Sequence, residues 1–383
     1  MAATVENNLD AMLKRGFSKK MATLYLNNLE REKRDGFFDA DYLAWAHEHG
    51  FYGESATAYN LTEDTIDNYL SDYDYCRVWP LNDWQRIWIN DKLTFAYMFW
   101  GTKFQKYLPE SYYYCAQDRL VPLLDSQMDP TIDGFLSLLR EKGEYAAKPC
   151  NGEWARGFHK LSYVDGTYFI DNKPSDEAHV RAFVEEKKNL LYTEFFHPSA
   201  EMARIDPLIH TLRILMVNRD GAHPYPASAY LRFAMGTGGD DSKANYHRPE
   251  SRDISSYNVG FDMETGHFGG GHIIYGYKRI DTDLHPDSGV EAAGTIEEWP
   301  EIRSMLTEMS LRIGPLEYLG YDVGITDRGV KLMEINSHSG CKYLQVFRPY
   351  RVDAFMNEFF SDKLAKIDAL DEAGIARRNA LAR

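Results

Sequence analysis

Residues 320–340 read GYDVGITDRGVKLMEINSHSG, two short strand-like runs joined by a tight turn around Asp327, Arg328 and Gly329. Runs of this length pair as an antiparallel hairpin, and pairing decides which side chains meet. Side chains two apart on a strand share a face, so Glu334 and Asn336 project together, and Asp322 on the partner strand faces the Glu334 end. Three oxygen donors converge. The apolar frame VKLM ahead of them marks a buried strand, and a carboxylate closing such a strand needs a partner. Hard oxygen ligands that leave positions for phosphate oxygens are what Mg²⁺ takes when it carries a nucleotide. The plainer alternative gives each residue a local duty: Asp322 ends a strand, Glu334 is solvated and Asn336 opens a turn.

The rest of the chain can supply a core for this hairpin. Its 383 residues are 44% hydrophobic and 14% aromatic, enough for two or three lobes. Helical spacing runs from about residue 5 to 70, with Leu13, Phe17, Met21, Leu24, Tyr25 and Leu29 on one face. Residues 76–114 hold Trp79, Trp84, Trp88 and Trp100 and read as a buried mixture of helix and strand. Further helices are predicted at 133–142, 176–189, near 302–314 and from about 352. Strands are predicted at 144–149, 159–164, 166–171, 190–196, 211–218 and 228–235. Helices and strands in this order, with hairpins between, give an α+β class rather than an alternating parallel sheet.

Charge and cysteine usage narrow the partners. The formal charge is -15, from 58 acidic and 43 basic residues, without a basic stripe, so nucleic acid is not expected as a partner. Cys76, Cys115, Cys150 and Cys341 lie far apart without zinc-ligand spacing, and reduced cytoplasmic thiols are the expectation. The N-terminus lacks the apolar centre of a secretory signal, and no run approaches the roughly 18 apolar residues of a membrane span. GTGGDD at 236–241 and HFGGGH at 267–272 lack the strand, glycine spacing and helix start of a phosphate loop, and are expected as mobile loops over a cleft. His267, His272 and Asp262 could be a metal set, but solvated loop histidines are the stronger expectation. Ser337, His338 and Ser339 have no acid to complete a nucleophile triad, which leaves them to support the metal strand or to bind an acceptor. Arg213 and Arg232 each interrupt an apolar strand, and buried arginines need anionic partners.

Several segments taken together resemble one family. GYDVGITDRGVKLMEINSHSG is similar to the closing hairpin of ATP-grasp enzymes, which carry an acid on one strand and Glu-x-Asn on the next. NDKLTFAYMF with YLPESYYY, EYAAKPCNGEWARGFHKL, LLYTEFFHPSAEMARIDPLIHTLRILMVN and SAYLRFAMG resemble the sugar-transfer-associated and teichuronopeptide-type ATP-grasp group, over roughly residues 85–350. The resemblance implies two α+β lobes clasping ATP, with a helical N-terminal region at 1–75. The first lobe would span 76–145, a central lobe with a phosphate flap 146–195, and a C-terminal lobe with the metal site and terminal helix 196–383.

The resemblance also assigns residues. Lys92 and Lys148 match the two lysines that reach nucleotide phosphates, where fixed cations offset charge on a transferring phosphoryl group. Residues 150–157, CNGEWARG, resemble the flap that closes on those phosphates, with Glu153 and Trp154 as departures. LYTEFFHP resembles the interlobe hinge, so Glu194, Phe195 and Phe196 are expected against the adenine. Arg213 and Arg232 are expected to bind phosphate or the activated carboxylate, with an internal salt bridge as the alternative. His210 stands where the family has a small polar residue and would be a contact special to this chain. Asp322, Glu334 and Asn336 would hold Mg²⁺. After Asn336 the run SHSG keeps Gly340 but not the family's proline.

The implied activity is ATP-dependent joining of a carboxylate to an amine through an acyl phosphate. The substrates would be small molecules such as a sugar acid or amino acid, handled by a soluble chain for which a homodimer is one arrangement. A phosphotransferase acting on a small acceptor and a non-catalytic nucleotide-binding subunit are the alternatives.

Overall fold

The computed structural model of the chain describes residues 4–123, 128–152, 157–243 and 255–380. Its N-terminal quarter is helical: Leu9–Lys14, Lys19–Asp35, Ala40–Glu48, Gly53–Tyr59 and Asp72–Arg77. The starts are written in the sequence, because Ser18, Asp39 and Ser71 each accept a hydrogen bond from the backbone amide three residues on. Met12, Phe17, Tyr25, Leu29, Tyr73 and Cys76 bury their side chains between these helices. Glu32 bonds His47 at 2.8 Å and caps the amides of Gly53 and Glu54 at 2.8 and 3.0 Å, so this buried carboxylate has its partners.

Two sheets follow. The first is built from β1 (Ser111–Cys115), β2 (Leu120–Pro122), β3 (Glu144–Pro149), β4 (His159–Val164), β5 (Thr167–Ile170), β6 (Lys173–Ser175) and β7 (Leu190–Thr193). Among the described residues its order is β2-β1-β7-β3-β4-β5-β6, with antiparallel neighbours throughout. Helices Ile132–Lys142 and Glu177–Glu186 lay Phe135, Leu136, Leu139, Val180 and Val184 against Tyr113, Tyr145 and Tyr192 on one face. Because strand side chains alternate, burying Tyr145 and Ala147 sends Lys148 to the opposite face. Strand β3 straddles residue 145, so the sheet joins strands from both sides of that position.

The second sheet contains β8 (Thr211–Val217), β9 (Tyr225–Phe233), β10 (Ser255–Phe261), β11 (His267–Tyr275), β12 (Arg279–Asp281), β13 (Gly294–Thr295), β14 (Tyr318–Thr326) and β15 (Gly329–Asn336). Its order is β12-β11-β10-β9-β8-β14-β15, with β13 paired to β11. Helix Trp299–Arg312 covers one face, where Leu212, Ile214, Leu231, Tyr257, Tyr321 and Val323 join the largest core. The other face carries Arg213, Arg232, Asp322 and Glu334.

HFGGGH is not a loop. It lies in β11, paired with β10 and β12, and packing requires one of its glycines: a Cβ on Gly271 would run into the Tyr257 hydroxyl and the Thr282 carbonyl. His272 bonds Asp281 at 2.8 Å and stacks on Phe347, while Asp262 bonds Thr265, so the three residues considered as a metal set point to different partners. GTGGDD does form a loop, docked on the first sheet. Lys160 Nζ on β4 meets Asp241 at 2.6 Å and Glu144 at 3.3 Å, and the Asn172 amide donates to Asp240 at 2.8 Å and Asp241 at 2.9 Å.

Candidate active site

Hairpin β14–β15 brings the predicted oxygen donors together. Asp322 lies opposite Glu334 in the β14–β15 register and opposite Arg213 in the β8–β14 register, so the three form one cross-strand row. A bulge makes this compatible with a buried core. Val323 pairs with Leu332 rather than with Met333, so Leu332 turns into the core while Glu334 stays on the Asp322 face. Asn336, two residues on, donates its amide toward Glu334 Oε1 and Gly320 O at 3.4 Å.

Arg213 is the partner of Asp322. Its guanidinium grips the carboxylate through both oxygens, with Nη2 to Oδ2 at 2.8 Å and Nε to Oδ1, and Nη1 donates to Ser339 Oγ at 2.9 Å. Burial works against the arginine charge, but Asp322 outweighs it and lifts the pKa above its ordinary value. For Asp322, burial presses the carboxyl pKa upward against the pull of Arg213. Glu334 is only partly buried, its side chain 36% exposed, and against the upward push of that burial Lys92 and Arg213 hold its pKa below the usual carboxylate value. The internal ion pair considered for Arg213 is thus what forms. Arg232 lies on β9 opposite Thr211 and Asn258, 9% exposed, with Thr211 Oγ1 3.5 Å from its guanidinium.

A cleft of about 830 Å³ opens beside this row, lined by both lysines, Thr193, Glu194, Arg328, Lys331 and Met333. Lys92 begins helix Lys92–Phe99, which Asp91 caps by accepting from the Thr94 amide at 2.7 Å. Its backbone amide bonds Cys150 O at 2.8 Å, its Nζ bonds Gly152 O at 3.1 Å, and the same Nζ lies 3.6 Å from Glu334. One residue therefore joins the start of the expected flap to the acid row. Residues 153–156 of that flap, Glu153 and Trp154 included, lie outside the described residues. Lys148 enters the cleft from β3 over the Phe196 ring, 5.9 Å from its centroid. Burial, reinforced by Lys92, pulls its pKa down to about 8.

Glu194, just past β7, is 5% exposed and bound on several sides: Arg328 at 2.9 Å, Lys331 at 3.3 Å and the Glu110 amide at 3.1 Å. Sequence reasoning missed Arg328 and Lys331. The alternation of β15, with Val330 and Leu332 inward, is the signal that sends Lys331 to the cleft. Lys331 also lies 5.9 Å over Phe196, and Lys160 lies 4.4 Å over Phe195; both phenylalanines are buried. His210 does not reach a substrate. It is fully buried, accepts from the Ile325 amide at 3.1 Å, and burial drives its pKa to about 3. His338 bonds neither neighbouring serine; its ring stacks on Tyr75 at 4.5 Å.

The donor set fits a hard divalent cation. Asp322 and Glu334 supply carboxylates and Asn336 an amide, the groups a hard divalent cation takes, while Arg213 holds both Asp322 oxygens and Asn336 Nδ2 turns toward Glu334. Two acids with one amide also leave positions that phosphate oxygens would have to complete.

The sequence pattern of the sugar-transfer associated ATP-grasp family matches residues 169–349, which hold β8 to β15 and this donor row. Solved structures are similar at low identity. D-alanyl-alanine synthetase A from Vibrio cholerae is 12% identical with a TM-score of 0.40; the match covers 73% of this chain and 66% of that one. D-alanine–D-alanine ligase from Bacillus anthracis, complexed with ATP, is 12% identical with a TM-score of 0.34, covering 76% and 68%. The biotin carboxylase domain of Hydrogenobacter thermophilus 2-oxoglutarate carboxylase, with MgADP, is 9% identical with a TM-score of 0.40, covering 74% and 46%. This chain thus spans just under two thirds of the first of these and less than half of the last. No curated protein matches it. Among the described residues, no helix is long and apolar enough to cross a membrane.

Proposed function

We propose that the cleft binds ATP with Mg²⁺ and that the chain uses it to join a small carboxylate to an amine. The observation that carries this reading is the Asp322–Glu334 cross-strand pair with Asn336 beside it, linked through Lys92 to the start of the flap. Asp322, Glu334 and Asn336 would hold the cation, which supplies charge neutralisation on the phosphate chain. Lys92 and Lys148 offset the charge that develops on the transferring phosphoryl group. Glu194, Phe195 and Phe196 line the adenine end, with Arg328 and Lys331 fixing the Glu194 carboxylate.

A carboxylate oxygen takes the terminal phosphoryl group and ADP leaves. The amine then attacks the acyl phosphate carbon, the C–O bond to phosphate breaks, and an amide and inorganic phosphate result. Arg213 or Arg232 would steady the oxyanion of that second step. A closed flap keeps water from the acyl phosphate. The lobes are taken as 76–145, 146–195 and 196–383, behind a helical region at 1–75. The carboxylate is a sugar acid or amino acid, as the sugar-transfer association suggests, and four buried unpaired cysteines suit a cytoplasmic chain.

ADP release that requires both a carboxylate and an amine is the expected result with ATP and Mg²⁺. Glu334→Gln combined with Asn336→Ala should lower kcat/KM at least about a hundredfold. Unchanged turnover in that variant would overturn the site assignment, and ADP release without amine would make the chain a phosphotransferase.

A further inference from the structure

The Asp322–Glu334–Asn336 row sits at the open end of hairpin β14–β15, where backbone pairing stops at Gly320 and Asn336. Beyond that point the strands are held by a side chain from far away in sequence. Asn82, 2% exposed, accepts at Oδ1 from the amides of Glu317 and Tyr318 at 2.8 and 3.0 Å. Its Nδ2 donates to Tyr318 O and Ser337 O, both at 2.7 Å. A buried amide that gives both donors and its acceptor to the backbone of two strands continues the ladder by one rung. The adjoining Asp83 takes φ +43°, a strained backbone tolerated where Asn82 is delivered into the hairpin.

A second hold lies one turn further along. The Tyr75 hydroxyl, from helix Asp72–Arg77, donates to Ser339 O at 2.5 Å, and the Tyr318 hydroxyl donates to the same oxygen at 3.1 Å. Ser339 Oγ in turn accepts from Arg213, which holds both oxygens of Asp322. Gly320 makes this crossing possible, since a Cβ there would fall on the Ser339 side chain. One end of the oxygen-donor set is thereby tied to the N-terminal helical region through Tyr75, and the other to the segment just after it through Asn82. Asn82 fixes Ser337 next to Asn336, and Tyr75 fixes the serine that orients Arg213 on Asp322.

We propose that Asn82 and Tyr75 are positioning residues for the cation held by Asp322, Glu334 and Asn336. The end of the N-terminal helical region and the segment that follows it then take part in shaping the metal site. This rests on the metal reading given above. Neither residue touches the cation; both set the spacing between donors on two strands, as outer partners of metal ligands do elsewhere.

The test uses Mn²⁺ as a paramagnetic probe on the full chain, titrated with saturating ADP and followed by the EPR signal of free Mn²⁺. Asn82→Asp keeps the acceptor for Glu317 and Tyr318 but sets an oxygen against Ser337 O and Tyr318 O. Tyr75→Phe removes one of the two donors to Ser339 and leaves Tyr318 in place. Asn82→Asp should weaken Mn²⁺ binding about tenfold or more, and Tyr75→Phe should weaken it by a smaller factor in the same direction. Affinity for a fluorescent nucleotide in EDTA should stay near that of the unaltered protein, which a general loosening of the fold would not allow.

Unaltered Mn²⁺ affinity in folded Asn82→Asp overturns the proposal. If Asn82→Asp does not fold, unaltered affinity in Tyr75→Phe does the same. Parallel loss of Mn²⁺ and metal-free nucleotide binding also overturns it, because the role would then be structural only. Absence of Mn²⁺ binding in the unaltered protein would instead remove the metal reading itself, and the positioning proposal with it.

Discussion

Lys148 illustrates how a strand position decides the chemistry of one side chain. Alternation along β3 buries Tyr145 and Ala147, so Lys148 must face the cleft, where burial and Lys92 bring its pKa to about 8. The folded state therefore gives up a proton that the unfolded chain keeps, and stability linked to this group rises with pH between about 8 and the ordinary value of 10.5. A bound polyphosphate reverses the shift by favouring the charged form. At about pH 9, nucleotide binding should then take up a fraction of a proton, seen as a dependence of the calorimetric binding enthalpy on buffer ionisation enthalpy. Lys148→Met should abolish that dependence. Equal uptake in both proteins would show that another group titrates. The strand and its lysine were legible in the sequence; the depressed pKa was not, since it arises from burial in the folded cleft and from Lys92, 56 residues earlier in the chain.

At the scale of elements, the closing hairpin was the most legible part of the chain. Its turn and the two strands beside it follow from alternation and from the Asp-Arg-Gly turn, which bring Asp322 to the Glu334 end of β15. The bulge at Met333 was hidden, because nothing local in VKLMEIN says that two residues will face one. It matters, since without it Leu332 and Glu334 would share a face. HFGGGH misled for a related reason: three glycines suggest a loop, yet the segment pairs as a strand, and at Gly271 Tyr257 and the Thr282 carbonyl leave no room for a side chain. Gly320 is the element-level test. Gly320→Ala should lower stability by about 1–3 kcal/mol in urea unfolding, because the new methyl group meets Ser339 across the face of β14. A second change, Ser339→Gly, should recover part of the loss, and no recovery would mean that the strain lies elsewhere.

At the scale of the molecule, the two sheets are joined by polar contacts that cross between them. Asp240 and Asp241, from the loop after β9, meet Asn172 and Lys160 on the sheet that carries the flap. Arg328 and Lys331, from β15 and its turn, meet Glu194 past β7. These partners could not be paired from sequence, because each pair comes from segments distant along the chain. The aspartate contacts are partly exposed, and such pairs add only about 0–1 kcal/mol to stability. Asp240→Asn with Asp241→Asn should therefore leave the melting temperature nearly unchanged. It should speed nucleotide release several-fold in stopped-flow fluorescence, and added salt should narrow the gap between variant and unaltered protein. Equal release rates at low salt would mean that the loop does not restrain the lobes.

The rung supplied by Asn82 also bears on the order in which the chain assembles. It joins residues 255 positions apart, and the Tyr75 contact spans 264. Contacts of such long sequence separation close late, after local helices and hairpins have formed. The acid-bearing hairpin is made well after the segment that holds Tyr75 and Asn82, and it finds those partners already formed. The donor row is thus completed only once residues 317–339 have been made, and a nascent fragment that stops short of them would lack it.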